Sequence, residues 1–111
     1  MAQIIRGTTP TIQFKFKQVD AADLITAILT IKQSGTVLIE KEMDVATVIP
    51  ASTDPPTQSS ISWELSQEEC LTLAYGRATI MLNWLTADGT RGASNEYSVD
   101  IVQNHIPEVI T

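Results

Sequence analysis

The chain has 111 residues, 43% of them hydrophobic, which argues against a disordered segment and allows one buried core. Its net charge of −6, with seven basic residues scattered along the sequence, excludes a surface built to hold a phosphate backbone. A single cysteine, Cys70, excludes an intramolecular disulfide, and no apolar run approaches the roughly 20 residues of a membrane-spanning helix. The expectation is one domain over residues 1–111, held together by packing.

Residues 1–10 lack a basic stretch followed by an apolar core, so no secretory signal is expected and synthesis in the cytoplasm is. Residues 11–17 alternate, with Ile12, Phe14 and Phe16 on one side and Gln13, Lys15 and Lys17 on the other, the pattern of a half-buried strand. Pro10 stands just before it, where a missing N–H matters little. Residues 20–23 read as a polar turn, helical at most for one turn. Residues 25–33 form a second strand with Ala27, Leu29 and Ile31 on the core face; Ile28 is apolar on the other face, which predicts cover on both sides. Ser34-Gly35 turns the chain, and residues 36–42 return as a third strand whose charged end, Glu40-Lys41-Glu42, suits an edge.

Residues 44–49 read as a short fourth strand. Residues 50–60, rich in Pro, Ser and Thr, form the longest loop-like stretch, read as a surface loop within a hairpin, with a variable contact loop as the alternative. Residues 60–65 put Ile61, Trp63 and Leu65 on one face. Ser66-Gln67-Glu68-Glu69 is a capping box opening a two-turn helix near residues 67–73, with Leu65 and Cys70 at the staple positions and Tyr75-Gly76 as the stop. Cys70 therefore reads as a small buried hydrophobe. Residues 77–101 read as one hairpin around Ala87-Asp88-Gly89. With Asp88-Gly89 as a two-residue loop, Trp84 faces Ala93, Leu82 faces Asn95, Ile80 faces Tyr97 and Ala78 faces Val99. In residues 103–111, Pro107 argues against a central strand.

Six to eight strands, turn signals about every ten residues and one short helix predict an all-β fold, a two-sheet antiparallel β-sandwich of immunoglobulin-like or jelly-roll-like form. The Cys–Trp–Cys spacing of true immunoglobulin domains is missing.

The chemistry-bearing residues do not assemble into a site. His105 is the only histidine and has no ligand cluster around it in sequence. No serine has a nucleophile setting, and Glu68-Glu69, the nearest approach to a carboxylate pair, is occupied by capping. Asp20, Asp23, Asp44 and Asp54 sit in turns, where Asp bonds the backbone, and the five glycines are isolated. The expectation is a protein with no catalytic residue, no cofactor and no metal. Trp63 and Trp84 align with apolar neighbours two residues away, so core packing is expected for both, with sugar stacking as the alternative role.

Three segments, in this order, resemble a known group. They are Ile5-Arg6-Gly7-Thr8-Thr9-Pro10-Thr11 leading into alternating aromatics, Leu65-Ser66-Gln67-Glu68-Glu69 before the last hairpin, and Leu85-Thr86-Ala87-Asp88-Gly89-Thr90 followed by Ala93-Ser94-Asn95. Together they resemble small β-sandwich proteins of Gram-positive prophages from the tail and baseplate gene region, and the N-terminal domain of upper baseplate proteins. That resemblance implies a structural, non-enzymatic subunit of a bacteriophage or prophage virion, located in the tail. Its partners would be other virion or tail proteins and further copies of itself, with neither nucleic acid binding nor membrane insertion. A head decoration protein and a carbohydrate-binding or adhesion module are the alternatives. Apolar residues outside the clear strands, Ile4 and Ile5 at one end and Ile106, Val109 and Ile110 at the other, form a candidate assembly interface in which arms add a strand to a neighbour. The competing reading is that both ends complete the domain's own sheets.

Overall fold

Alternation with a period of two runs through most of the chain, and the backbone follows it into strands. The computed structural model describes residues 3–17, 20–53, 56–106 and 108–110. The elements are β1 (Gln3–Ile5), β2 (Thr11–Lys15), β3 (Leu24–Gln33), β4 (Thr36–Glu42), β5 (Thr47–Ile49), β6 (Ser52–Thr53), β7 (Pro56–Thr57), β8 (Ser60–Glu64), α1 (Gln67–Leu71), β9 (Gly76–Thr86), β10 (Arg91–Ala93) and β11 (Tyr97–Val102). One sheet has the order β1-β11-β9-β3-β4, with β10 also paired to β9; the other has the order β2-β8-β5; β6 and β7 form a small ladder of their own.

The two main sheets form a β-sandwich around one apolar core. Ala27, Leu29 and Ile31 of β3 and Ala78, Ile80 and Leu82 of β9 face Ile61 and Trp63 of β8, and all are buried. Ile28, on the opposite face of β3, is half-buried and Ile25 is exposed, so the outer face of the large sheet is only partly covered. Ser34 (φ 52°) and Gly35 (φ 79°) take the two left-handed positions of the β3–β4 turn, the geometry that matches strand twist. β4 is an edge strand, as its charged end predicts.

Two local devices hold the ends. Ser66 Oγ accepts the Glu69 N–H at 3.1 Å while Glu69 Oε1 accepts the Ser66 N–H at 2.9 Å, completing the capping box. Leu65 and Cys70 are both fully buried at the staple positions. The helix is shorter than expected, ending at Leu71, because its last carbonyls find other donors. The Arg6 guanidinium donates to the Leu71 and Leu73 oxygens, both at 2.6 Å, and so closes the helix from outside the segment. Where β3 ends, the Gln33 carboxamide plays strand to Ala74, donating to its carbonyl at 2.8 Å and accepting its N–H at 2.7 Å.

Several expectations shift. Residues 43–45 wind into a single 3-10 turn, leaving only Thr47–Ile49 as the fourth strand. The long loop contains the β6–β7 ladder, with Asp54 and Pro55 outside the described residues. The last hairpin departs from the two-residue loop. Thr86 N–H bonds to Thr90 O, Gly89 takes φ 89°, and Trp84 pairs with Gly92 rather than Ala93. Asp88 decides this: its carboxylate accepts the Thr90 N–H and the Thr86 hydroxyl, stabilising a three-residue turn that ends in left-handed Gly89. A bulge at residues 94–96 then takes back the extra residue, so Ile80↔Tyr97 and Ala78↔Val99 fall as expected.

The candidate interface divides. Ile4 is 7% exposed in β1, which pairs in parallel with β11 through Ile4↔Ile101. Burial within its own sheet removes Ile4 from any arm. Ile5, the next residue along the strand, points outward and is exposed, as are Ile106, Val109 and Ile110. No strand follows Val102 among the described residues; Pro107 itself lies outside them.

Candidate functional site: an aromatic cleft between open strand edges

The alternation of residues 11–17 aims Phe14 and Phe16 toward the large sheet. At the opposite side, Trp84 reaches inward from β9 and Tyr97 from the start of β11. These four rings line a cleft of about 500 Å³, rimmed by Lys15 and Lys17. Phe16 meets Trp84 edge to face at 5.3 Å between ring centres, and Phe14 lies 6.2 Å from Tyr97 at a tilt of 53°. Phe16 is buried, Phe14 and Trp84 are half-buried and Tyr97 is exposed, so the stack runs from core to solvent.

The cleft exists because both sheets stop here. β1 covers β11 only from Asp100 to Val102, leaving β10 and the start of β11 as a free edge. Bonds from Thr86 N–H to Thr90 O and from Ser94 N–H to Leu82 O set the antiparallel alternation, which turns the main-chain groups of Arg91 and Ala93 away from β9. On β2, bonds from Leu65 N–H to Pro10 O and from Phe16 N–H to Ser59 O do the same, turning Gln13 and Lys15 away from β8. Among the described residues no strand pairs with either edge.

Gly92 shapes the floor. It lies against the Trp84 indole so closely that an added Cβ would stand 2.4 Å from two ring carbons. The indole edge carrying Nε1 therefore rests over β10, and this N–H has no acceptor among the described residues. Trp63 contrasts on each point. It is 1% exposed and its Nε1–H donates to Glu42 O at 2.9 Å. Core packing thus holds for Trp63 but only half-describes Trp84. The missing side chain at Gly92 escaped the sequence reading, because a two-residue turn puts Ala93 opposite Trp84; Tyr97 was placed opposite Ile80, as found, but its part in a cleft depends on β2.

The other candidates remain dispersed. His105 is exposed in the segment after β11, and Glu68 is exposed on the helix. Among the described residues no group of three or more His, Cys, Asp or Glu could hold a metal ion. Cys70 is buried, accepting the Gly7 N–H at 3.3 Å and donating to Ile5 O at 3.6 Å, a structural thiol. Among the described residues no helix is long and apolar enough to cross a membrane.

Among the described residues Glu69 and Asp88 are the carboxylates with displaced titration, and both displacements are structural. Burial disfavours the Glu69 charge, but the Lys41 ammonium at 2.7 and 2.9 Å and the Ser66 N–H and hydroxyl outweigh it, holding the carboxyl below its ordinary value of 4.5. Asp88 is lowered by the hydroxyl of Thr86 and the N–H of Thr90. Because the folded Glu69 titrates below the unfolded one, its stabilisation is complete above about pH 4.5 and drains away as pH falls through the lower folded value. Chemical denaturation from pH 6 down to pH 3 (roughly the carboxylate range) should show a smaller loss of stability in Glu69→Gln than in the native chain; equal losses would deny Glu69 this role.

No protein-family model and no curated protein matches this chain. Among solved structures the fold is similar to that of CopC from Methylosinus trichosporium OB3b, with a TM-score of 0.54 and 16% identity over 95% of this chain and 86% of that one. At that identity the likeness carries the fold, a β-sandwich. The comparison corrects the expectation of a bacteriophage tail, baseplate or head-decoration subunit: the structure matched is a CopC and none of the comparisons points to a virion protein. The physical reason is visible in the three segments behind that expectation. Each proves to be a local device, a strand lead-in, a capping box and a hairpin turn, which any β-sandwich can use. The carbohydrate or adhesion alternative leaned on two tryptophans, and the burial of Trp63 leaves it no paired platform.

Proposed function

We propose that this protein is a non-enzymatic β-sandwich binding domain that takes an extended protein segment into the aromatic cleft. One observation carries the reading: aromatic rings, an indole N–H without an acceptor among the described residues and two strand edges that no described strand pairs with meet in the same place. An incoming strand would use the free main-chain groups of Lys15 or Ala93 for hydrogen bonds, while its apolar side chains cover Phe14, Trp84 and Tyr97. The cleft walls offer aromatic rings, two lysines, Ser94 and Asn95, a set suited to binding and without a paired base and nucleophile. The negative charge of the whole chain speaks against a nucleic acid partner.

The test is two-dimensional NMR of the full chain, which resolves both indole N–H signals. The protein is examined over a concentration series and against a panel of short strand-forming peptides, acidic, basic and neutral. A shift of the Trp84 signal with that of Trp63 unmoved, in either arm, supports the reading. A Trp84 signal indifferent to concentration and to every peptide overturns it.

A further inference from the structure

Outside the cleft, the described surface offers a second unexplained feature. Residues 104–106 and 108–110 leave the sheet after β11 and are nonetheless held by hydrogen bonds. Asn104 Nδ2 donates to Arg6 O at 2.9 Å, and the Ile106 N–H donates to Asn104 Oδ1 at 3.0 Å. Further on, the Gln67 carboxamide clasps the main chain of Ile110 from both sides, accepting its N–H at 2.8 Å and donating to its carbonyl at 3.1 Å. The side chains so presented stay in water: Ile106 is 53% exposed and Ile110 64%. Ordering a segment costs conformational entropy, and within one molecule this ordering buries little apolar area in return. The arrangement makes sense for a segment held ready to dock, since prior ordering lowers the cost of binding.

Resting on the binding reading above, we propose that the occupant of the aromatic cleft is this segment, residues 106–110, of a second copy of the chain. Charge selects it. The cleft rim carries Lys15 and Lys17 on a protein of net charge −6, and lysines on an open edge repel the same edge of another copy. The segment carries one carboxylate, Glu108, between apolar Ile106 and the pair Val109 and Ile110. An apolar stretch interrupted by an acid is complementary to an aromatic cleft with a basic rim. The two surfaces are different patches of one molecule, so the contact is heterologous and copies join head to tail, closing to a ring or extending as a chain.

The experiment uses three variants of the whole chain and one peptide. Light scattering over a concentration series gives the association state of the native chain, of Ile106→Glu/Ile110→Glu and of Lys15→Glu/Lys17→Glu. The substituted positions are exposed, so folding is retained, which circular dichroism verifies. Each double variant should weaken self-association by about tenfold or more. An equimolar mixture of the two should form dimers and nothing larger, since one supplies an intact cleft and the other an intact segment. Adding Glu108→Lys to the lysine variant should restore self-association. A synthetic peptide of residues 103–111 should shift the Trp84 indole signal of the native chain and not that of Trp63. Self-association that survives Ile106→Glu/Ile110→Glu, or a peptide that leaves Trp84 unmoved while other strand peptides shift it, overturns the assignment of the segment and leaves the binding reading standing. A chain that stays monomeric while none of the peptides moves Trp84 removes both.

Discussion

Trp63→Ala should lower the stability of the folded chain by about 3–5 kcal/mol, the largest single effect expected of this sequence. The indole is 1% exposed at the centre of the small sheet, opposite the buried faces of β3 and β9. Truncation leaves a cavity within the buried apolar cluster to which Trp63 belongs, and close-packed strands relax little into such a space. It also strips a donor from Glu42 O, which marks the point where β4 gives way to the 3-10 turn. Chemical denaturation read by far-ultraviolet circular dichroism measures the loss. A change below about 1 kcal/mol, the size typical of surface substitutions or less buried sites, would mean that the core is not organised around this side chain.

Gly92→Val should be the second largest, at about 1–3 kcal/mol, by overpacking. Valine ordinarily favours a strand, so propensity alone predicts a gain. The structure predicts a loss, because the new Cβ would stand 2.4 Å from Cε2 and Cζ2 of Trp84 and 2.6 Å from its Nε1. Either the indole swings into the cleft or β10 separates from β9. Both outcomes change the Trp84 indole signal, and both block the cleft. Pairing the substitution with Trp84→Leu should recover most of the lost stability, since the clash belongs to the pair. Additive effects in that double-mutant cycle would show that Gly92 and Trp84 are not in contact.

These two sites mark where the sequence was legible and where it was not. Ile61, Trp63 and Leu65 announce a buried face by period-two spacing alone, and the structure buries all three. The capping box at Ser66 and Glu69 was equally plain, because its residues act over one turn of chain. The all-β sandwich followed from many such local signals agreeing. The register opposite Trp84 did not, since Asp-Gly permits two turn lengths, and the choice rests on bonds that Asp88 makes to Thr86 and Thr90.

The residues of the candidate interface divide for a related reason. Ile4 and Ile5 look alike in sequence, yet parallel pairing with β11 buries one and exposes the other. A parallel partner 97 positions away leaves no mark in local spacing. Lys15 and Lys17 were read as the wet face of a strand, and both are exposed, Lys15 in β2 and Lys17 just after it; that the same edge borders a cleft depends on where β1 stops along β11.

Thus the sequence by itself determined the longer strands, the start and capping of the short helix, the core-facing side of β2, β3, β8 and β9 and the structural nature of Cys70, because these depend on neighbours a few residues apart. Only the tertiary structure decided strand order, the closing of the helix by Arg6, the fate of Ile4 and the open aromatic cleft. Each of these arises where segments distant in the chain meet or fail to meet, and local spacing carries no record of such long-range pairing.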